Sequence, residues 1–366
     1  MDQQATYSAP ASGRTARGAG AAARYTNIYT ELQTRIKDHD LLRRRYGFYW
    51  TMLIGSTLVL AAIGFLVVWL GDSWLQLIAA GALGALMAQF GFLGHEAAHQ
   101  QMFKSRRWNE WIGRIVSGLF TGLSYGWWMN KHNLHHGFPN QEQKDPDIKS
   151  NVLAFTPAAA ATRTGFRAEM AKRQGYLFFP LLLLEGVNLH FASIKTIAGK
   201  QKLKHRWSEA TFVGVRLIGY VAMLFILLPP GMAAAFLGVQ LGVFGFLLGA
   251  AFAPNHKGMP IVPTGMKVDF FRRQTLMSRN ITGGRFVDFF MGGLNYQIEH
   301  HLFPSMPRPN LRATQKLVKA FCAEKNVTYT EKTLAQSYAI VVKYLNQVGL
   351  KERDPFACPL VQLYRA

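Results

Sequence analysis

Long runs of apolar residues constrain the fold of this 366-residue chain more than any other feature. The four clearest runs are 48–70, 74–94, 213–228 and 232–253. Each is close to the length of helix, about 20 residues, that crosses a hydrocarbon core. Short turns at 71–73 and 229–231 join them in pairs. The sequence therefore predicts two membrane-spanning helical hairpins.

A fifth apolar run, 176–194, differs because it carries Glu185, Asn188 and His190 in its interior. Such groups are costly in lipid unless they are buried against protein. Counting this run as a span would also place the basic segment 195–206 on the outer side, against the positive-inside rule. We therefore expect 176–194 to be an interfacial or re-entrant helix.

The distribution of charge predicts the orientation of the hairpins. The chain carries 41 Lys and Arg against 20 Asp and Glu, a formal net charge of +21. Arg43, Arg44 and Arg45 precede the first run, whereas the turn at 71–73 has no Lys or Arg, so the turn is predicted outside and His95 on the cytoplasmic face. Because the apolar runs explain the basic balance through a membrane, we expect no nucleic-acid partner.

The segments outside the spans are more polar. Residues 1–24 have no apolar run and predict a disordered tail rather than a secretory signal. Residues 25–47 favour a cytosolic or interfacial helix, and 310–349 favour a cytosolic helical cap before a C-terminal tail at 350–366. The predicted class is an all-α integral membrane protein with four transmembrane helices and a helical cap.

Three histidine clusters lie beside the predicted spans. They read His-Glu-Ala-Ala-His at 95–99, His-Asn-Leu-His-His at 132–136 and Gln-Ile-Glu-His-His at 297–301. Helix positions i, i+3 and i+4 share a face, so each cluster is expected to point several side chains at one spot. Imidazole is the commonest metal ligand and suits zinc, copper, iron and nickel. These seven histidines are too many for one tetrahedral ion, and they predict two metal ions.

Other interpretations of the clusters explain fewer residues. The cluster at 95–99 also fits the zinc-protease pattern, with two histidine ligands and Glu96 as general base. That interpretation leaves the histidines at 132–136 and 300–301 without a role. A metal transporter would need polar residues across the bilayer midplane, where the predicted spans are apolar. A purely structural protein would bind no metal.

The clusters and their flanks resemble the three histidine boxes of the membrane fatty acid desaturase superfamily. The second box is followed by Asp-Pro-Asp-Ile at 145–148, and the third lies within Asn-Tyr-Gln-Ile-Glu-His-His-Leu-Phe-Pro at 295–304. A third box that begins with glutamine is typical of the branch that includes front-end and acyl-CoA desaturases. The resemblance extends over 48–349, the expected desaturase domain. It implies a di-iron centre on the cytoplasmic side of four spans.

The resemblance also implies a set of metal ligands. The implied iron ligands in the boxes are His95, His99, His132, His135, His136, His300 and His301. A further ligand in the superfamily follows the last span, where His256 is the only histidine. Gln297 stands where a related branch has histidine, so it is expected to be a weak or water-mediated ligand, or an orienting group. Asp145 and Asp147 are candidate acceptors that fix imidazole tautomers, with a solvated loop as the alternative.

The function that the resemblance implies is O2-dependent insertion of a cis double bond into a long acyl chain, with acyl-CoA favoured and acyl-lipid second. The cofactors are two iron ions, because no side chain oxidises an unactivated methylene pair. Electrons are expected from a separate ferredoxin or cytochrome b5-type donor with its reductase, since 1–47 lacks the His-Pro-Gly-Gly haem motif. A lipid hydroxylase or carotenoid ketolase is the alternative. His190 is expected either to line the acyl tunnel or to pair with Glu185.

Overall fold

A computed structural model describes residues 28–150 and 152–350, where the chain is mainly helical. The predicted tail at 1–24 and the residues 351–366 lie outside the described residues. In chain order, the helices are α1 (28–38), α2 (Tyr46–Leu70), α3 (Gln76–Ala98), α4 (Arg106–Arg114), α5 (Tyr125–Gly137), α6 (Pro157–Ala161), α7 (Gly165–Lys172), α8 (Gln174–Leu182), α9 (Glu185–Ala198), α10 (Arg206–Gly214), α11 (Tyr220–Leu227), α12 (Pro230–His256), α13 (Phe270–Leu276), α14 (Arg285–Phe290), α15 (Gln297–Leu302), α16 (Leu311–Glu324) and α17 (Leu334–Gly349).

Short segments of other geometry complete the described chain. The π-helix Ile115–Thr121 extends α4, and the π-helix Val215–Gly219 joins α10 to α11. Two 3-10 turns, Pro146–Ile148 and Arg308–Asn310, follow the second and third histidine boxes.

Among the described residues, four helical segments are long and apolar enough to cross a membrane. They are α2, α3, the continuous α10–α11 segment Arg206–Leu227 and α12. These are the four runs predicted from the sequence, with each boundary moved by a few residues. Between α2 and α3, the side chain of Gln76 donates hydrogen bonds to the carbonyl oxygens of Val67 (2.8 Å) and Gly71 (2.9 Å). These bonds satisfy backbone acceptors at the end of α2.

The helices α3 and α12 form the centre of the predicted membrane region. In the most apolar window of α3, 61% of residues are buried, against 11% in the α10–α11 segment. A Cβ atom on Gly84 of α3 would lie 2.6 Å from the carbonyl oxygen of Gln240 in α12, so the two backbones approach closely here. This contact places the ends of α3 and α12, which carry His95 and His256, side by side.

The apolar run 176–194 does not form one straight helix. It is divided between α8 and α9, which meet at an angle of 70°. His190 contacts the carbonyl oxygens of Gly186 and Thr121 through its two ring nitrogens, at 2.6 and 2.9 Å, and not Glu185. Pairing of His190 with Glu185 was therefore a wrong prediction. The placement of this bent pair at the membrane surface, outside the four spans, stays a prediction.

The described residues are mainly helical, as predicted, and they also contain one small sheet. Two three-residue strands, β1 (Asn280–Thr282) and β2 (Glu331–Thr333), pair in parallel, with Asn280 opposite Glu331. Strands this short carry too few residues to show an alternating apolar pattern. The pairing attaches the segment before α17 to the segment before the third box.

The N-terminal and C-terminal helices pack together around the third box. Leu32 and Ile36 of α1 are buried in one apolar cluster with Leu302 of α15 and Val318 of α16. Tyr29 also donates a hydrogen bond to the carbonyl oxygen of Leu302 (2.7 Å). The helix predicted over 25–47 ends at residue 38. This packing holds α15 against α1 and α16.

Candidate metal centre

Eight histidines converge at one end of α3 and α12, where they form two groups. The five-histidine group consists of His95, His99, His132, His136 and His300, whose ligand atoms all lie within 4.8 Å of one another. The three-histidine group consists of His135, His256 and His301, within the same limit. Every histidine proposed from the sequence, including His256, belongs to one of the two groups.

The two groups share the second and third boxes. On α5, His132 and His136 belong to the five-histidine group, whereas His135 belongs to the three-histidine group. Likewise, His300 and His301 on α15 belong to different groups. The expectation that each box points at a single spot was therefore wrong for these two boxes. Neighbouring helix positions are separated by about 100° around the axis, so adjacent side chains diverge.

In the five-histidine group, the ring nitrogens lie too close together for each of them to have a hydrogen-bond partner of its own. Nε2 of His132 lies 2.8 Å from Nε2 of His99 and 3.2 Å from Nε2 of His95. One ring nitrogen provides a single donor or a single acceptor, so it pairs with only one of the two. Nε2 of His300 similarly lies 3.1 Å from Nε2 of His136. Convergence of this kind is what a shared metal ion requires of its ligands.

The environment keeps the rings of this group neutral. Burial and neighbouring imidazoles lower the pKa of His132, His136 and His300 well below the usual value for histidine, and burial lowers that of His99 to about 3. A neutral imidazole has a lone pair for a metal, whereas an imidazolium has none. The indole of Trp128 stacks on His132 with ring centroids 4.0 Å apart, which fixes the plane of that ring.

In the three-histidine group, each Nδ1 atom faces an oxygen acceptor. Nδ1 of His301 lies 2.9 Å from Oε1 of Gln274, and Nδ1 of His256 lies 2.9 Å from the carbonyl oxygen of Met277. Nδ1 of His135 lies 3.1 Å from both carboxylate oxygens of Asp145. These contacts place the proton on Nδ1 and leave the Nε2 lone pairs directed into the group.

The Nε2 atoms of this group have few partners within the described residues. Nε2 of His301 is buried without any hydrogen-bond partner, and Nε2 of His135 and His256 lie 3.3 Å apart. A buried lone pair without a donor is costly unless a ligand is present. The donor set and its orphaned atom therefore fit a bound metal ion.

The comparisons with known proteins agree with this geometry. The sequence model described as "Fatty acid desaturase" matches residues 72–333, which include all eight histidines. The chain belongs to the fatty acid desaturase family. The zinc-protease interpretation of the first box is therefore wrong, and Glu96 has another role in this desaturase.

Three curated relatives illustrate the similarity. The chain is 32% identical to the Delta(6)-fatty-acid desaturase fat-3 of Caenorhabditis elegans, over 88% of this chain and 74% of the relative. It is 27% identical to a Delta(8)-fatty-acid desaturase of Helianthus annuus, over 85% and 70%. It is 30% identical to an acyl-lipid (9-3)-desaturase of Physcomitrium patens, over 88% and 62%. These relatives support the branch predicted from Gln297.

Asp145 and Asp147 both lie beside His135 in the desaturase. Asp145 is fully buried, and an oxygen of Asp147 lies 3.4 Å from Nδ1 of the same ring. Burial lowers the pKa of His135, but the two carboxylates outweigh this effect and raise it overall. Asp147 also pairs with Lys131 at 2.9 Å. Both aspartates therefore lie within reach of Nδ1 of His135, and their role in fixing its tautomer stays a prediction.

Gln297 borders the three-histidine group through its amide nitrogen. Nε2 of Gln297 lies 2.9 Å from Nε2 of His256, and its Oε1 accepts a hydrogen bond from Nδ2 of Asn255 (3.1 Å). Nδ2 of Asn255 also donates to the carbonyl oxygens of Ala251 and Leu294, which fixes the orientation of the Asn255 amide. In this arrangement Gln297 turns its oxygen, the only ligand atom of an amide, away from the group.

Some of the residues that position the site gave no signal in the sequence. Gln274 lies in a segment without histidine, yet its Nε2 donates to the carbonyl oxygen of His136 (2.9 Å) while its Oε1 faces His301. Glu209 at the start of α10 accepts a hydrogen bond from the backbone N–H of Gly126 (3.1 Å), at the start of the second-box helix. Both contacts bring together distant parts of the chain, which residue spacing does not reveal.

Proposed function

We propose that this chain is a fatty acyl desaturase that inserts a cis double bond into a long acyl chain. The observation that carries the proposal is the convergence of eight histidines in two groups at the end of apolar, membrane-length helices. The reaction converts –CH2–CH2–, O2, two electrons and two protons into –CH=CH– and two molecules of water. A site at a membrane surface suits this substrate because acyl chains are insoluble in water.

The metal is proposed to be a pair of iron ions, one in each group. The ligands would be His95, His99, His132, His136 and His300 for one ion, and His135, His256 and His301 for the other. Bound iron would supply, with O2, the oxidising power that no side chain provides. Imidazole ligands suit iron, and the unpartnered Nε2 of His301 supports a metal ion in the three-histidine group.

Side chains around the histidines are proposed to fix the orientation of the imidazole rings. Asp145 and Gln274 hold Nδ1 of His135 and His301, so that each ring presents its Nε2 lone pair. Gln297 directs an amide N–H donor towards Nε2 of His256, and we propose that it would orient this ring or a water molecule in the three-histidine group and is not itself a ligand. Trp128 stacks on His132 of the five-histidine group and limits the movement of that ring.

The arrangement in the membrane is also a proposal. Two hairpins, α2–α3 and α10–α12, would turn on the outer side, and all eight histidines would face the cytoplasm. The uncharged turns and the basic residues at 43–45 support this orientation. The helices α16 and α17 would form the cytosolic cap. The desaturase domain is proposed to extend over 48–349.

The net charge of the chain supports a proposal for the form of the substrate, and the two electrons that the reaction needs support one for the electron donor. Two electrons per double bond come from outside the substrate, so we propose a separate ferredoxin or cytochrome b5-type donor with its reductase. Acyl-CoA is the first proposed substrate and acyl-lipid the second, since a net charge of +21 favours a polyanionic headgroup as well as an anionic membrane surface. Supplying each substrate form to the purified protein would decide between them.

Fatty-acid profiling of cells that express the protein tests the proposal. The host would lack polyunsaturated lipids, and mass spectrometry would locate double bonds and detect hydroxyl or keto groups. We expect a new alkene with the wild type and none with His300→Ala or His301→Ala. His39→Ala, at an exposed histidine outside both groups, is the matched control and should retain the product. An oxygenated lipid in place of an alkene would favour the hydroxylase or ketolase alternative.

A further inference from the structure

A basic surface lies directly beside the histidines of the second box. It is centred on Phe138, which follows α5, and we call it the Phe138 patch. Nζ of Lys144 lies 4.4 Å from the centroid of the Phe138 ring, and Cζ of Arg273 lies 5.3 Å from it. Lys267 is exposed, and its neighbour Val268 accepts a hydrogen bond from Arg273 (2.9 Å). We define the patch as the Phe138 ring with Lys144 and Arg273 against it, together with exposed Lys267, which precedes the Val268 carbonyl bound by Arg273.

The patch is connected to both histidine groups by short bonded paths. Phe138 is two residues from His136, a member of the five-histidine group. Arg273 donates a hydrogen bond to the carbonyl oxygen of Gly137 (2.9 Å). Its neighbour Gln274 bonds to His136 and to His301, one from each group. An electron that arrives at this surface thus has a covalent or hydrogen-bonded route to either group.

The exposed charge of the patch is mainly positive. Lys144 and Lys267 are exposed and form no ion pair within residues 28–150 and 152–350. Of the nearby acids, Asp269 pairs with Arg272 at 3.2 Å, and Asp145 is buried against His135. In the same loop as Asp145, Glu142 is partly buried, and Asp147 pairs with Lys131 at 2.9 Å. Unpaired exposed lysines around an aromatic residue are suited to an acidic protein partner.

We propose that the Phe138 patch is the docking surface for an acidic one-electron carrier protein. This inference rests on the proposed function, which consumes two electrons for each double bond. Each carrier would be oxidised by one electron, so two reduced carriers are consumed per turnover. Together with the two electrons removed from the C–H bonds as the alkene forms, they reduce one O2 to two molecules of water.

Charge reversal with a matched control tests the docking surface. The test variant is Lys144→Glu with Lys267→Glu, and the control is Lys316→Glu with Lys343→Glu, at exposed lysines of α16 and α17. Both variants change the net charge equally. The probes are a reduced plant-type [2Fe–2S] ferredoxin and the soluble haem domain of cytochrome b5, both acidic. Steady-state desaturation by the purified, iron-loaded protein would be measured against carrier concentration at low and high salt, and separately with dithionite and methyl viologen.

The expected results separate docking from the desaturation itself. The patch variant should raise the KM for at least one carrier by about tenfold or more at low salt and flatten its salt dependence. The control should stay within about twofold of the wild type, because Lys316 and Lys343 are not members of the Phe138 patch. With dithionite, all three proteins should form product at the same rate. Absence of product from the wild type with dithionite would refute the proposed function and not the docking surface.

Two results would overturn the docking proposal. One is an equal carrier KM in the patch and control variants. The other is a rise in the KM for acyl-CoA alone, which would assign the patch to the substrate phosphates. If the reversal variant fails to bind iron, the neutral variant Lys144→Gln with Lys267→Gln carries the same test, with a smaller expected rise in carrier KM.

Discussion

Arg308 donates a hydrogen bond from its Nε to a carboxylate oxygen of Glu96, and both side chains are almost fully buried. The backbone N–H of Arg308 also donates to the hydroxyl of Tyr49 (3.1 Å). This pair joins the first histidine box on α3 to the segment that follows the third box. Glu96 belongs to neither histidine group, and its carboxylate contacts Arg308 instead.

The Glu96–Arg308 pair predicts non-additive effects on stability. Removing one partner leaves a buried charge, so Glu96→Met or Arg308→Met alone should cost roughly 3–5 kcal/mol of unfolding free energy. The double variant should cost clearly less than the sum of the two, since both charges are then absent. Thermal unfolding in detergent micelles, followed by tryptophan fluorescence, measures this. Strict additivity would contradict a direct pair.

Asp145 is predicted to control metal affinity through His135. Asp145→Asn replaces an acceptor of the Nδ1 proton with a group that can present N–H instead, and the ring tautomer is no longer fixed. We expect iron affinity to fall by about 10–100-fold, measured by competition with a chelator. Asp147→Asn is the comparison, and its effect should be smaller because Asp147 is 3.4 Å from the ring and pairs with Lys131. Equal, wild-type affinity in both variants would argue against the role of Asp145.

The protein is predicted to retain its iron when the amide of Gln297 is removed. Because its oxygen faces Asn255, Gln297→Leu should leave the iron content per protein unchanged while desaturation falls. Iron analysis by mass spectrometry beside a product assay would measure both quantities. His256→Ala, which removes a member of the same group, should lower the iron content. Loss of iron from Gln297→Leu to the same extent would show that Gln297 is a ligand after all.

Glu209 is predicted to fix the helix that supplies histidines to both groups. Its carboxylate accepts hydrogen bonds from Ser124 and Gly126 at the N-terminus of α5. Glu209→Ala leaves these buried donors unpaired, at a cost of about 1–3 kcal/mol, and should weaken iron binding at both groups. Glu110→Ala, at a glutamate that pairs with exposed Arg106 and Lys204, is the control. Chelator titrations that give identical affinities for the two variants would contradict this account.

The sequence predicts well those features that depend on local pattern. The four apolar helices follow from run length, and the membership of all eight histidines in the metal-competent groups follows from the boxes and the family resemblance. The division of His135 and His136 between the groups depends on how α5 is rotated against α3 and α12. Gln274 and the carbonyl of Met277 are brought to the site by the packing of α13 on α15. The strands β1 and β2 depend on pairing between residues that are 51 positions apart, such as Asn280 and Glu331.

The measurement that tests the central claim most directly is product analysis after a single reductive cycle. Purified, iron-loaded protein would be reduced with dithionite, mixed with long-chain acyl-CoA or acyl-lipid, and exposed to O2. The account predicts a product that has lost two hydrogens and gained a cis double bond, absent from His300→Ala. An unchanged substrate, an oxygenated product, or the same alkene from His300→Ala would contradict it.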